Sequence, residues 1–256
     1  MMGKTHKVGG AVSGFSLLTL AQVTSITINP IFGGLPFLAG NIIGALLPDI
    51  DQRKSTIGRL LWFISFPIWI IQSILNYFLR NSKSPLAKAI KGTVNHRGFA
   101  HWPIHYIIGA FICFLFLLIS DINQEYLTIA SFYNTYFRNL EVGVDTSSIM
   151  GAAIPLMIGM FLMGICFGAL NHIFLDALNV QGVPLFAPFS LKKIPLGKIV
   201  TGMTSKKEKR LRFFLNILLF ILAIAFIYLT LCSIDTSFLQ ENVLPLEGVD
   251  LIRPLN

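Results

Sequence analysis

The sequence predicts an all-α fold: a polytopic membrane helical bundle with about five spans plus one re-entrant or interfacial helical segment. Three observations predict it. The chain is 54% hydrophobic, with a mean hydropathy of +0.70. Only 12% of its residues are charged, about half the usual proportion in soluble domains. Several apolar runs also reach bilayer length. Because no polar linker divides the chain, residues 1–256 are predicted to form a single membrane-embedded domain.

The predicted spans follow one another between proline- and glycine-containing breaks. They are residues 8–28, 31–47, 102–120, 149–178 and 213–233. Asn29-Pro30 is expected to end the first helix, and Pro48 to end the second.

The charges predict the topology. Residues 48–101 hold eight Lys/Arg against two acids, and residues 179–212 hold eight against one. Residues 121–148 instead hold four acids and one base, and the tail 234–256 is also acidic. By the positive-inside rule the two basic stretches face the cytoplasm, as does the N-terminus. This pattern predicts a multi-pass membrane protein with a cytoplasmic N-terminus.

The apolar and aromatic stretch 60–79 does not fit a simple crossing, because both of its flanks are basic. Pro67 near its middle would allow a bend. We therefore expect a re-entrant or interfacial helical pair here. The alternative is a sixth crossing with one positive loop on the wrong side.

The net charge of +8 flanks apolar segments, so the expected partners are anionic lipid headgroups, and no nucleic acid is expected. The three cysteines, Cys113, Cys166 and Cys232, lie inside apolar runs without a CxxC pair. Neither a thiolate zinc site nor a disulfide framework is indicated.

Seven side chains of metal-ligand type lie at the predicted cytoplasmic ends of the helices. They are His6, Asp49, Asp51, His96, His101, His172 and Asp176. Imidazole and carboxylate together suit zinc first, with manganese or iron(II) as alternatives. Seven groups exceed what one tetrahedral ion needs, which predicts two or more ions.

Local spacing supports shared ligation. His172 and Asp176 are four residues apart, so on a helix they project from one face. Asp49 and Asp51 follow Pro48, and an extended Asp-x-Asp would point both carboxylates the same way.

The same residues suggest a chemistry. A pair of divalent ions typically binds a phosphate and generates hydroxide. Arg97 is expected to hold a phosphoryl oxygen, and Asp49 or Asp51 is expected to act as general base if they are not both ligands. Asn95 and Asn171 are candidate hydrogen-bond partners of the metal-binding histidines.

Some of these residues, and the function itself, have alternative interpretations. His105 is expected to be an ordinary interfacial residue, and the basic run 206–212 is expected to be a topology anchor and lipid contact. The alternative function is a non-enzymatic membrane protein, either a metal transporter or a scaffold that binds a regulator. A transporter would place its ligands near the bilayer midplane, whereas these cluster at one face.

Several motifs together are similar to those of a known family. They are Thr5-His6, Leu47-Pro48-Asp49-Ile50-Asp51 with Ser55, His96-Arg97-Gly98-Phe99-Ala100-His101, His172-Ile173-Phe174-Leu175-Asp176, Gly182-Val183-Pro184-Leu185 and Pro188-Phe189. They resemble the YdjM family of bacterial inner-membrane proteins, described as metal-dependent hydrolases and remotely similar to zinc-dependent phospholipase C. The resemblance covers about residues 1–200; residues 201–256 form a basic linker, the last span and an acidic tail.

The resemblance implies a membrane-bound, phospholipase C-like phosphoesterase acting on a phosphorylated amphiphile at the cytoplasmic face. His172 with Asp176 resembles the His-x-x-x-Glu metal motif of that superfamily, with Asp for Glu. The chain departs from the family pattern at Ala100 and Trp102, where Thr and Ser are usual. These changes put a hydroxyl contact to substrate in doubt, but no metal ligand.

Overall fold

The computed structural model describes residues 3–24, 28–52, 54–94, 97–119, 146–197 and 205–243, without the side chains of 146–152 and 233–243. The prediction of an all-α fold is confirmed. Within these ranges the regular elements are helices, apart from one isolated antiparallel bridge between Val183 and Ile194.

The described residues form eight α-helices and three short helical turns. The α-helices are α1 Gly3–Val23, α2 Leu35–Gly44, α3 Thr56–Leu60, α4 Trp62–Leu79, α5 Pro85–Val94, α6 Pro103–Ile119, α7 Thr146–Ala177 and α8 Lys206–Val243. A π-helical turn covers Pro30–Gly34, and 3₁₀ turns cover Leu47–Asp51 and Phe99–His101.

Glycines let α2 and α7 pack closely, and this is the most extensive helix contact among the described residues. A Cβ at Gly40 or Gly44 would meet the backbone of α7, and one at Gly164 or Gly168 would meet the backbone of α2. Small residues that allow backbones to approach are typical of helix interfaces in membranes. This seam fixes the end of α2 beside the end of α7.

The other long helices surround this pair. α1 packs against α8, α2 and α7, while α6 packs against α7. Leu18, Phe37, Leu156 and Met160 form a buried apolar cluster where α1, α2 and α7 meet. The bundle therefore places the start of α1, the end of α2 and the end of α7 near one another.

Three predicted boundaries differ from those observed. The first helix begins at Gly3 rather than residue 8, so its first turns already carry His6. The last helix begins at Lys206, within the basic run, because the Ser205 hydroxyl caps it by accepting from the Glu208 amide at 3.1 Å. The stretch before Asn95, predicted only as basic and polar, contains α5.

Three of the described helical segments are long and apolar enough to cross a bilayer: Trp62–Leu79, Ala153–Ala177 and Lys206–Cys232. Pro30–Gly44 and Pro103–Ile119 are shorter apolar helices. The expected acidic loop up to residue 145 and the end of the tail from residue 244 lie outside the described residues. A membrane protein is supported at this level, and the count of about five spans stays a prediction.

α4 corresponds to the segment predicted to be re-entrant or interfacial. It runs through Pro67 as one helix, so the proline does not divide it. Its main contacts within the described residues are with α3, α5 and the Leu47–Asp51 turn, and only 6% of it is buried. The length of α4 permits a crossing, so both the interfacial placement and the sixth crossing stay predictions.

Candidate metal centre

Four separate segments bring ligand-type side chains together at one end of the bundle. They are the first turns of α1, the turn that follows α2, the turn that precedes α6 and the last turns of α7. Five of the seven predicted ligands converge here: His6, Asp49, His101, His172 and Asp176. His96 and its neighbour Asn95 lie outside the described residues.

The converging side chains form two overlapping groups. One contains His6, Asp49 and His172, and the other contains His101, His172 and Asp176. In each group the candidate ligand atoms lie within 4.8 Å of one another. His172 belongs to both groups, so it lies at the junction of two adjacent candidate sites.

Asp176 is the buried negative charge of the cluster, with 2% of its surface exposed. Its Oδ1 lies 3.4 Å from His6 Nε2, and its Oδ2 lies 3.0 Å from Arg97 Nη2 and 3.8 Å from His101 Nε2. A carboxylate inside an apolar helix is costly unless it is partnered, and here the guanidinium is that partner.

His172 is oriented by the backbone of α2. Its Nδ1 lies 2.8 Å from the carbonyl oxygen of Ala45, so Nδ1 carries the proton and donates it. Its Nε2 then faces Asp49 Oδ1 at 3.7 Å and Asp176 Oδ2 at 3.9 Å. A backbone acceptor behind the ring is the usual support of a metal-binding histidine.

That acceptor differs from the predicted one. Asn171 was the candidate, but its side-chain amide nitrogen is buried without a hydrogen-bond partner among the described residues. The Ala45 carbonyl supports His172 instead. Ala45 follows the last residue of α2, where helix carbonyls lack intrahelical partners, so the sequence did contain a signal for it.

His6 is held as a neutral imidazole. It precedes the first predicted span, and burial, reinforced by the adjacent His172, lowers its pKa to about 3. Its Nδ1 is buried without a hydrogen-bond partner among the described residues, and its Nε2 contacts Asp176. Neutral imidazole is the form that binds metal.

The donor set fits a divalent ion. Three imidazoles and two carboxylates meet in a largely dry space, and His172 Nε2 is buried there without a hydrogen-bond donor among the described residues. Two ligands each about 2.1 Å from a tetrahedral zinc ion lie about 3.4 Å apart. The observed separations of 3.4–3.9 Å between imidazole and carboxylate atoms are close to that value.

Asp51 is placed differently from the prediction. It is buried, but it belongs to neither group. The prediction that Asp49-Ile50-Asp51 is extended is wrong, because Leu47–Asp51 forms a 3₁₀ turn with Pro48 near its start. A 3₁₀ helix has three residues per turn, so side chains two residues apart point in different directions. Only Asp49 therefore faces the cluster.

Arg97 links the cluster to the loop after α7. Its Nη2 contacts Asp176 and its Nη1 donates to the carbonyl oxygen of Gly182 at 3.2 Å. Its backbone φ is +62°, a left-handed conformation that non-glycine residues rarely adopt. Such strain at a buried polar site is often tied to function.

One supporting pair was not predicted. Thr5 Oγ1 donates to Glu208 Oε1 at 2.9 Å, and both side chains are buried. This bond ties the residue before His6 to the first turn of α8. Two sequence features single out Glu208: it is the sole acid in the run Lys206–Arg210, and Ser205-x-x-Glu208 has the capping-box spacing of a helix start.

His105 lies outside the cluster. Its Nε2 is 2.7 Å from the carbonyl oxygen of Phe99, and its ring stacks on Trp102 at a centroid distance of 5.9 Å. It is therefore a suitable matched control for the clustered histidines.

The fold and this cluster define a class: an all-helical membrane protein with buried histidines and aspartates gathered at one end of its bundle. The chain belongs to the YdjM inner membrane protein family, whose pattern matches residues 1–234. The resemblance to that family is thereby confirmed.

One relative is similar over most of both chains. The "Uncharacterized protein YvsG" of Bacillus subtilis (strain 168) is 26% identical over 199 residues, covering 77% of this chain and 79% of its own length. No solved structure matches the chain.

Proposed function

We propose that this protein is a metal-dependent hydrolase of the inner membrane that cleaves a phosphoester of a lipid or another amphiphilic substrate. The observation that carries the proposal is the convergence of His6, Asp49, His101, His172 and Asp176 from four distant segments. Burying so many ionisable groups is costly unless they are partnered, and a shared cation would partner them.

The two groups would hold the ions, with zinc as the expected metal and manganese or iron(II) as alternatives. When bound, a divalent ion supplies Lewis-acid polarisation of a phosphoryl oxygen and lowers the pKa of bound water. Because His172 belongs to both groups, its side chain is the one on which occupancy of both positions depends.

Other residues of the cluster have separate roles in the proposed reaction. The Ala45 carbonyl fixes the tautomer of His172 so that Nε2 faces the cluster. Asp49 has 15% of its side chain exposed, more than Asp176 with 2%, so it is the better placed carboxylate to take a proton from water. Arg97 holds Asp176 in place, and we propose that it also contacts a phosphoryl oxygen.

The surroundings support an anionic amphiphile as substrate. The cluster lies at one end of a bundle whose long helices expose apolar side chains. The stretches that flank the cluster carry most of the basic residues, which also supports a multi-pass topology with a cytoplasmic N-terminus. A lipid phosphate combines the apolar and anionic parts that these surfaces suit.

The first experiment measures metal in the detergent-purified protein by elemental mass spectrometry, after loading with zinc or manganese and desalting. We expect bound metal in the parent chain, its loss in His172→Ala and its retention in the matched control His105→Ala. Absence of metal from the parent after reconstitution, or equal loss in both variants, would contradict the metal centre. It would favour the alternative that the protein is a non-enzymatic scaffold that binds a regulator.

The second experiment tests the reaction. The metal-loaded protein is incubated with a panel of phospholipids and prenyl phosphates, and release of phosphate or headgroup is measured. We expect turnover that Asp49→Asn abolishes in a protein that remains folded. Turnover of a carboxylic ester or an amide alone would show that the phosphoester assignment is wrong, and metal binding without any turnover would favour transport.

A further inference from the structure

The loop between α7 and α8 presents two phenylalanines on a well-anchored tip. We define the phenylalanine loop as residues 183–194, which the bridge between Val183 and Ile194 closes. Phe186 has 63% of its surface exposed and Phe189 has 91%. Neither side chain is part of the cluster described above.

The base of this loop is fixed to the body of the protein. The Ile194 amide donates to the Val183 carbonyl at 2.9 Å, and the Leu196 amide donates to the Ala177 carbonyl at 2.8 Å. Val183 is fully buried against Ile173 and Ala177. The base of the loop that presents the two phenylalanines is therefore anchored to the end of α7.

Backbone hydrogen bonds also order the tip. The Ala187 amide donates to the Pro184 carbonyl at 3.2 Å, and the Ser190 amide donates to the Phe186 carbonyl at 3.0 Å. Leu191 lies beside Gly92, so the second half of the loop contacts α5. Exposing a phenylalanine to water is unfavourable relative to burying it, so an ordered tip with two of them indicates an apolar partner.

The position of the loop and its charge identify that partner. The loop lies in the chain between the candidate spans Ala153–Ala177 and Lys206–Cys232, so a bilayer crossed by both helices would end near it. Lys192 and Lys193, both exposed, come three and four residues after Phe189. Apolar side chains next to lysines are typical of segments that dip into a leaflet while their cations meet lipid phosphates.

We propose that the phenylalanine loop is an interfacial anchor, with Phe186 and Phe189 inserted below the headgroups of an anionic leaflet and Lys192 and Lys193 against the lipid phosphates. The Gly182 carbonyl, directly before the loop, accepts from Arg97. The anchor thus sets the depth of the cluster relative to the headgroups. The proposal does not depend on hydrolysis at the cluster.

Tryptophan fluorescence tests it on the full chain in vesicles of phosphatidylcholine and phosphatidylglycerol. Phe189→Trp and Phe186→Trp are measured separately, and the signal of the parent chain, which has three tryptophans, is subtracted. We expect blue-shifted emission that lipids brominated near the headgroup quench more than lipids brominated near the chain ends. The Lys192→Gln/Lys193→Gln background should reduce this quenching in vesicles with phosphatidylglycerol and leave it unchanged in phosphatidylcholine alone.

Two results would overturn the proposal. Emission at the wavelength of water-exposed tryptophan, unaffected by brominated lipid, would place the loop in solvent. Blue-shifted emission without quenching would place both residues against protein, such as a second copy of the chain. Because both positions are exposed in the structure, neither substitution disturbs a packed side chain.

Discussion

His6 and His172 stack face to face, with ring centroids 3.8 Å apart and planes inclined by 15°. The contact joins the start of α1 to the end of α7, which are distant in the chain. Burial, together with repulsion between the two rings at this distance, lowers the pKa of His6. Stacking alone would stabilise the pair modestly. His6 Nδ1 and His172 Nε2 have no hydrogen-bond partner among the described residues and lie beside two carboxylates, as a metal site requires.

The overlap of the two groups at His172 predicts how metal content depends on each histidine. His6→Ala should remove only the metal held by the first group, and His101→Ala only that held by the second. His172→Ala should remove both, because its Nε2 is common to the two groups. Titration of the purified variants with zinc, followed by elemental mass spectrometry, measures these losses.

A single shared ion would give a different pattern. All three variants would then lose the same amount of metal, and the prediction of two ions would be wrong. His105→Ala serves as the control for removal of an imidazole at the same end of the bundle.

The buried pair of Arg97 and Asp176 predicts a large effect on stability. Asp176→Asn keeps the shape of the side chain but leaves the guanidinium, 3.0 Å away, without its carboxylate. Removing one partner of a buried ion pair typically costs about 3–5 kcal/mol. We expect Asp176→Asn to lower the free energy of unfolding by an amount in this range, measured by denaturation in detergent after metal is removed.

The double variant Arg97→Gln/Asp176→Asn provides the matched comparison. It removes both charges, so it should be less destabilised than the sum of the two single variants. Additive effects of the two changes would show that the ion pair does not contribute to the fold.

Gly182 predicts a local effect on Arg97. Its φ is +61°, and a Cβ there would lie 2.6 Å from the backbone carbon of Ile194. Gly182→Ala should therefore destabilise the protein by roughly 1 kcal/mol or more and displace the carbonyl that accepts from Arg97. Thermal unfolding and zinc titration should both detect the change.

Gly92→Ala is the control for that substitution. A Cβ at Gly92 would meet only the flexible end of Leu191, at 3.4 Å, and the residue lies inside α5. Replacing glycine by alanine within a helix usually stabilises it by roughly 0.5–1 kcal/mol. If both variants behaved alike, the left-handed backbone of Gly182 would not be important for the site.

Much of the fold was predictable because hydrophobic length and helix-breaking prolines are local signals. The helical class and the approximate segments followed from them. The gathering of His6, Asp49, His101, His172 and Asp176 at one end followed from the distribution of basic and acidic residues. The catalytic and metal-binding roles of these residues, and the role of His96, stay predictions.

What could not be predicted depends on contacts between distant segments and on local backbone geometry. The 3₁₀ turn that separates Asp51 from Asp49 required the actual backbone angles. The support of His172 by the Ala45 carbonyl and the bond between Thr5 and Glu208 join residues more than a hundred positions apart. The local signals at Ala45 and Glu208 mark groups that need a partner, but spacing within one segment does not say which distant residue supplies it.

The glycine seam between α2 and α7 predicts that the site depends on helix packing. A Cβ at Gly44 would lie 2.7 Å from Ile165 Cα, so Gly44→Ala must push the two helices apart. Overpacking of this kind typically costs about 1–3 kcal/mol. Because Ala45 follows directly and orients His172, we expect both a lower melting temperature and weaker zinc binding. At Gly34, by contrast, the nearest atom to an added Cβ is 3.8 Å away, so Gly34→Ala should neither lower the melting temperature nor weaken zinc binding. Unchanged zinc affinity in a destabilised Gly44→Ala protein would show that the metal centre does not depend on the spacing of α2 and α7.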